Sequence, residues 1–375
     1  MYKIQYYISI VFFLFSLTFY ASSEHDSISM PKGENPHQEA KSLRDEIKED
    51  IQHHLKDSHD WTFFHSKIDG SGFTIPLPVI LIDNGLHVFM SSQFHHGESI
   101  VESNGNYYKL VHGKIYKTDA QGTLNLDEHH HPTNAKPWDF SITKSVVVII
   151  LAALLMLWMF SSLAKSYKKN NGIATGFGRF LEPLVLFVRD EIAIPNIGEK
   201  HYKRYLNYLL TIFFFVWLVN LLGLTPFGIN VTGNIAVTFA LAILTYLITT
   251  FTAKKDYWKH IFWMPGVPTL MKIILAPIEL LGTIIKPFSL MIRLYANMTA
   301  GHVVLMSILA LIFIFKSWVG GPLSFGLAFA LSLLELLVAA LQAYIFTMLS
   351  ALYFGMAVEE HEHEHPHEEA HAEHH

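Results

Sequence analysis

Polar and apolar positions fall into two patterns along this chain. After residue 145, apolar side chains run almost unbroken over 146–160, 206–224, 235–251 and most of 271–358. As helices, runs of this order cross a hydrocarbon core about 30 Å thick, so they predict an all-α polytopic membrane region. Its last part reads as a hairpin, because Gly320, Gly321 and Pro322 interrupt the run between 271–315 and 322–358. At 1.5 Å per residue the second arm would be about 55 Å long, which requires a steep tilt within the membrane. Before residue 135 the apolar runs are short. "TIPLPVILI" (74–82) and "LHVFMSSQF" (86–94) flank Asp83-Asn84-Gly85, a strong hairpin turn signal, and predict a small β-rich domain.

The ends differ from both patterns. One lysine precedes the apolar run 8–20, and Ala21-Ser22-Ser23 follows it, the layout of a secretory signal peptide cleaved near Ser23. The expected organisation is therefore a signal peptide (1–23), a polar linker (24–58) whose 41–57 stretch suits an exposed amphipathic helix, an exported β-rich domain (59–134), a membrane domain (135–358) and a His/Glu-rich tail (359–375). Positive charges favour the cytoplasmic side of short loops. Lys165, Lys168 and Lys169 follow the first span, Lys200, Lys203 and Arg204 precede the second, and Lys254 and Lys255 follow the third. The first helix then runs inward, leaving the N-terminal domain exported and the C-terminus cytoplasmic. The stretch 178–198 mixes apolar and charged residues and suits an interfacial helix.

Composition agrees with this reading. Hydrophobic residues make up 51% and charged residues only 16% of 375 positions, well to the apolar side of soluble domains. The net charge of −5 resides largely in the tails. Cysteine is absent, so an exported domain here has no disulfide framework.

Against that apolar background the polar residues of the hairpin stand out. Arg293, Asn297 and His302 lie in its first arm, Glu335 and Gln342 in its second. Facing residues of an antiparallel hairpin share a common midpoint. Those of Arg293 with Gln342 and of His302 with Glu335 fall one residue apart, between 317 and 319, inside the predicted turn. At about 100° per residue, Asn297 shares Arg293's face of the helix and His302 lies roughly opposite. An arginine at hydrocarbon depth costs about 2.5 to 3.5 kcal/mol on insertion scales, which makes it a functional candidate rather than a packing device. Histidine and glutamate, with ordinary pKa values near 6.5 and 4.3, suit proton relay.

The segment "KPFSLMIRLYANMTAGH" (286–302) resembles the signature of subunit a, the membrane stator and ion-channel subunit of rotary F-type ATP synthases. "LQAYIFTMLSALYFGMAVEEH" (341–361) is similar to that family's C-terminal helix, and "VNLLGLTP" (219–226) and "APIELLG" (276–282) match further blocks in order. The resemblance spans about residues 135 to 360. It implies that Arg293 is the stator arginine facing a rotor ring of subunit c, with Asn297 and Gln342 near it. It also implies that His302 and Glu335 line an aqueous access path, with Glu279 and Asn220 as further polar contributors. Many bacterial members carry glutamate at the position of His302 and histidine at that of Glu335, so the two are exchanged here. The implied partners are subunit c, the peripheral-stalk subunit b, the catalytic sector and the lipid bilayer of a bacterial inner membrane. Nothing points to nucleic acid or to a cofactor.

The tail "EEHEHEHPHEEAHAEHH" (359–375) and "DEHHHP" (127–132) carry metal-ligand residue types, but without fixed spacing they read as solvated, pH-responsive segments. The rival reading they support is a histidine-rich secondary transporter of metal ions, with ligands at broken helices near the midplane. A Walker-type glycine loop with its lysine is missing from the sequence, so any nucleotide chemistry belongs to partners and this subunit is itself non-catalytic.

Overall fold

The computed structural model describes residues 57–65, 72–111, 113–127, 132–225, 230–264, 267–314 and 320–359. The expected signal peptide, the linker up to residue 56 with its amphipathic stretch, His129 to His131 and the tail beyond Glu359 lie outside the described residues.

The N-terminal part is a small β domain. Strands β1 (Asp60–His65) and β2 (Gly72–Pro76) pair antiparallel. A second sheet has the order β4-β3-β8, with β3 (Pro78–Ile82), β4 (Leu86–Met90) and β8 (Trp138–Asp139). A third has the order β5-β6-β7, with β5 (Ile100–Ser103), β6 (Asn106–Val111) and β7 (Lys114–Thr118). The Asp83-Asn84-Gly85 turn closes β3 onto β4, pairing Ile82 with Leu86. Asn84 at φ 52° and Gly85 at φ 155° take the backbone values for which such residues are used. Val79, Leu81 and Phe89 of one sheet meet Val101, Tyr108 and Ile115 of the other, with Phe94 between them. Strand β8 lies beyond residue 134, the boundary drawn from sequence, and pairs with β3 through Leu81 with Asp139 and Ile82 with Trp138.

Eight helices follow among the described residues: α1 (Lys144–Lys169), α2 (Gly178–Phe187), α3 (Ile194–Ile197), α4 (Tyr202–Gly223), α5 (Ile235–Thr252), α6 (Lys255–Phe262), α7 (Thr269–Ile314) and α8 (Gly320–Val358). A wide turn of π-helix, Val188–Ala193, joins α2 to α3. Helices α1, α4, α5, α7 and α8 are long and apolar enough to span a membrane. Their packed interior includes Leu209, Phe214, Leu290, Leu294, Phe346 and Phe354. Their exteriors remain apolar, with Leu154, Phe251, Ile273 and Leu337 exposed, the inverse of a water-soluble surface. Buried hydroxyls on these helices donate back one turn, Thr347 to the Ala343 carbonyl and Ser350 to that of Phe346, which gives each an acceptor within its own helix. The 178–198 segment is amphipathic as expected: Leu181, Val188 and Ile192 are buried while Asp190 and Glu191 are exposed.

The two ends of the helical part are distinct. At one end Lys254 donates its backbone N–H to the Ala357 carbonyl, and its ammonium lies 3.2 Å from His201 Nε2. The close of α5, the start of α4 and the last turn of α8 therefore meet there. At the other end the β domain is fastened to the helices through Asp57. Its carboxylate accepts from Thr143 Oγ1 at 2.8 Å and from the Ser145 N–H at 3.2 Å, capping α1 from outside the helix. Trp61 packs beside Val148, Ala152, Val219 and Val231.

Candidate functional site

Helix α7 contains Pro277 and Pro287 yet remains continuous over 46 residues. Each proline lacks the N–H that would close an i→i−4 bond. Leu290, Leu294 and Met298 form the buried stripe of this helix, and Arg293 and Asn297, four residues apart, share an exposed face beside it. Asn297 Nδ2 donates to Gln342 Oε1 of α8 at 2.8 Å.

Sequence arithmetic set Arg293 level with Gln342, whereas the hydrogen bond joins Gln342 to Asn297, one turn nearer the hairpin bend. The reason is side-chain lean. In a helix the side chains tilt toward its own N-terminus, so across an antiparallel pair the tips meet between residues whose backbones are not level. Longer side chains increase the offset. Lys286 Nζ lies 5.8 Å from the centre of the Tyr353 ring, a pair with the same midpoint as Asn297 and Gln342, and 3.9 Å from Met356 Sδ, a pair further still from the midpoint that the sequence suggested.

His302 and Glu335 are each only 8% exposed. They sit at one level because the carboxylate of Glu335 lies against Gly301: a Cβ added there would come within 2.9 Å of Glu335 Oε1. Among the described residues no ion pair joins His302 to Glu335. Glu335 Oε2, Gln342 Nε2 and Thr299 Oγ1 are buried without a hydrogen-bond partner in the protein, an arrangement that costs free energy unless something polar reaches them.

The two remaining candidates lie elsewhere. Asn220 of α4 is completely buried; its Oδ1 accepts from Thr232 Oγ1 at 2.8 Å, and its Nδ2 has no protein partner. Among the described residues no hydrogen bond links it to the hairpin. Glu279 is half-buried near the opposite end of α7, where its charge reaches Tyr257 of α6. Burial first, then the neighbouring Tyr246 and Glu279, holds the Tyr257 phenol above its ordinary range.

Sequence reasoning missed two features. One is Gly301, a helix-interior glycine whose signal was available, since glycine there costs about 1 kcal/mol relative to alanine and calls for a packing reason. The other is a small cavity of about 20 Å³ lined by Thr245, Thr249, Tyr257, Thr283, Lys286 and Tyr353. Its walls come from four helices whose polar residues carry no shared local pattern.

Five helices able to span a membrane, with polar and ionisable groups set within the last two, define a multi-pass membrane protein. The comparisons with known proteins name the family. The chain belongs to the ATP synthase A chain family, whose model matches residues 146–355, so the sequence-level resemblance is borne out. It is similar to ATP synthase subunit a of Chloroherpeton thalassium, 45% identical over 233 residues, or 60% of this chain and 69% of the relative. It is also similar to ATP synthase subunit a 2 of Prosthecochloris aestuarii, 37% identical over 316 residues, covering 80% of this chain and 96% of the relative. A third relative, ATP synthase subunit a of Myxococcus xanthus, is 43% identical over 243 residues, 63% of this chain and 78% of its own. Residues 50–140 match a separate family described as a domain of unknown function (DUF8433). None of these matches supports the metal-ion transporter reading.

Proposed function

We propose that this chain is the stator proton channel of a rotary ATP synthase, carrying protons between two half-channels and carboxylates on a ring of c subunits. The observation that carries this reading is the position of Arg293. It is exposed on the outer face of α7, between a polar set toward the hairpin bend (Asn297, Gln342, His302, Glu335) and another toward the open end (Lys286, Thr283, Glu279). A guanidinium facing hydrocarbon is costly, and a carboxylate on a neighbouring rotor helix would relieve that cost.

The chemistry follows from the groups. A guanidinium does not give up its proton, so Arg293 attracts an ionised rotor carboxylate, expels its proton and bars direct leakage between the two paths. His302 and Glu335, joined by Asn220 toward the β domain, form the entry path; the cavity around Lys286, with Glu279, forms the other. The export of the β-rich domain, which β8 carries past the expected boundary at 134 to Asp139, the membrane domain that follows it up to 358, the cytoplasmic C-terminus and the contacts with subunit b and the catalytic sector belong to the same proposal.

Arg293→Ala is expected to abolish ATP-driven proton pumping and ATP synthesis in membrane vesicles while the complex still assembles. Arg293→Lys is expected to be nearly as poor, because an ammonium lacks the planar fork and its permanent charge. Near-normal synthesis by the alanine variant would overturn the assignment.

A further inference from the structure

The β4-β3-β8 sheet keeps its ionisable residues, His87 and Asp139, in the inner row of Leu81. Its inner face supplies the domain core. Its outer face holds a second apolar layer, because residues paired across antiparallel strands project to the same side. Trp138, Ile82 and Leu86 form one cross-strand row. Phe140, whose N–H bonds to the Ile80 carbonyl, forms the next with Ile80 and Val88. Trp138 is 74% exposed, Leu86 62%, and Val88 and Phe140 59% each. Neither row contains an ionisable residue. The outer face of the partner sheet is different, since its paired rows include Glu102, Lys109 and Lys114. One side of the sandwich is therefore built for water and the other is not. A contiguous apolar face of this kind marks an interaction surface.

The occupant is indicated by where the sheet is attached. β8 ends at Asp139 and the first spanning helix starts at Lys144. An extended chain covers at most about 3.6 Å per residue, so Phe140 lies within roughly 14 Å of the first residue of α1. Ile150 and Leu154 on that helix are themselves exposed apolar residues. The bilayer's interfacial zone is roughly 5 to 7 Å thick on each side of the hydrocarbon, and tryptophan is enriched there. The domain is also held in place by Asp57 on Thr143 and Ser145 and by Trp61 against the helices. We propose that the outer face of the β4-β3-β8 sheet rests on the membrane, with its apolar rows seated among lipid headgroups and upper acyl chains. The inference rests on the membrane character of the chain and not on the roles assigned to Arg293, His302 or Glu335.

The chain has no cysteine, so each single-cysteine variant carries one spin label on this subunit, and the synthase with the native chain, treated alike, gives the background from other subunits. Val88→Cys and Leu86→Cys are labelled in the full chain within the assembled synthase in lipid nanodiscs. Leu154→Cys serves as the lipid reference and Glu102→Cys as the water reference. Collision rates with oxygen and with a water-soluble nickel chelate are then compared. The oxygen-to-nickel ratio at 88 and 86 is expected to be several-fold above that at 102 and to approach that at 154. Free access of the nickel chelate overturns the proposal, and so does exclusion of both reagents, which would mean that a second copy, another subunit or the chain's own N-terminal segment covers the face. An independent measurement needs no label: brominated lipids are expected to quench a larger share of the native fluorescence than of Trp138→Phe fluorescence. Equal quenched shares would count against membrane contact.

Discussion

Arg293, Asn297 and His302 occupy one short stretch of α7 but meet three different surroundings. Arg293 faces outward, Asn297 bonds across to Gln342, and His302 is buried at the level of Glu335. The family resemblance implies that His302 and Glu335 are exchanged in this chain, and a shared depth would keep both chemical types available after such an exchange. Replacing either alone with an apolar residue is expected to strand its partner and slow proton entry. The reciprocal double change, His302→Glu with Glu335→His, is expected to recover much of the loss. Proton-pumping rates of the two singles and the double decide the matter by their non-additivity; a double no better than the product of the singles means independent action.

At the scale of elements, the hairpin depends on a missing side chain. Gly301 leaves room for the Glu335 carboxylate, so Gly301→Ala is expected to displace that group and reduce pumping without preventing assembly. Pumping equal to the native rate would show that the close approach is unimportant. In the β domain the turn residue Asp83 has a second duty. Lys117 Nζ donates to its Oδ2 at 2.7 Å and the buried Tyr108 hydroxyl at 3.3 Å. The Lys117 hydrogen bond holds the Asp83 carboxyl below its ordinary value, while burial pushes the Tyr108 phenol up to about 12. A depressed carboxyl contributes stability that is present above its unfolded pKa, near 3.9, and is lost as pH falls through the folded value. Hydrogen-exchange protection of β3, β4 and β6 is therefore expected to decline below about pH 4. Asp83→Asn is expected to remove that dependence and to cost about 1 kcal/mol; an unchanged acid profile would assign the decline to another group.

Over the whole molecule, the proposed function gives the polar residues of the hairpin a role that it does not give to the β domain or the tail. The proposed proton route uses only the helical part, and the described part of the chain closes at Glu359, whose N–H bonds to the Gly355 carbonyl at the end of α8. Truncation after Glu360 is expected to leave proton transport nearly unchanged in vesicles. Loss of transport together with loss of stoichiometric zinc binding would instead make the tail a metal-dependent part of the mechanism.

The membrane class, the five spans, the Asp83-Asn84-Gly85 turn and the family were all legible in the sequence, whereas Gly320, Gly321 and Pro322, expected to form the hairpin bend, lie in the first turn of α8. Each legible feature is written in a local property: the length of an apolar run, a backbone value that asparagine and glycine tolerate, or an uninterrupted motif. Midpoint arithmetic also brought His302 and Glu335 to one level, since an antiparallel hairpin has a single degree of freedom along its axis. Only the tertiary structure decided that Asn297 rather than Arg293 meets Gln342, because the lean of each side chain shifts the contact off the backbone level. It alone brought Gly301 against Glu335, gathered the cavity around Lys286 from four helices, and set Asp57 as the cap of α1. Such contacts join residues far apart in the chain, and their partners are chosen by packing rather than by any pattern that a single segment carries.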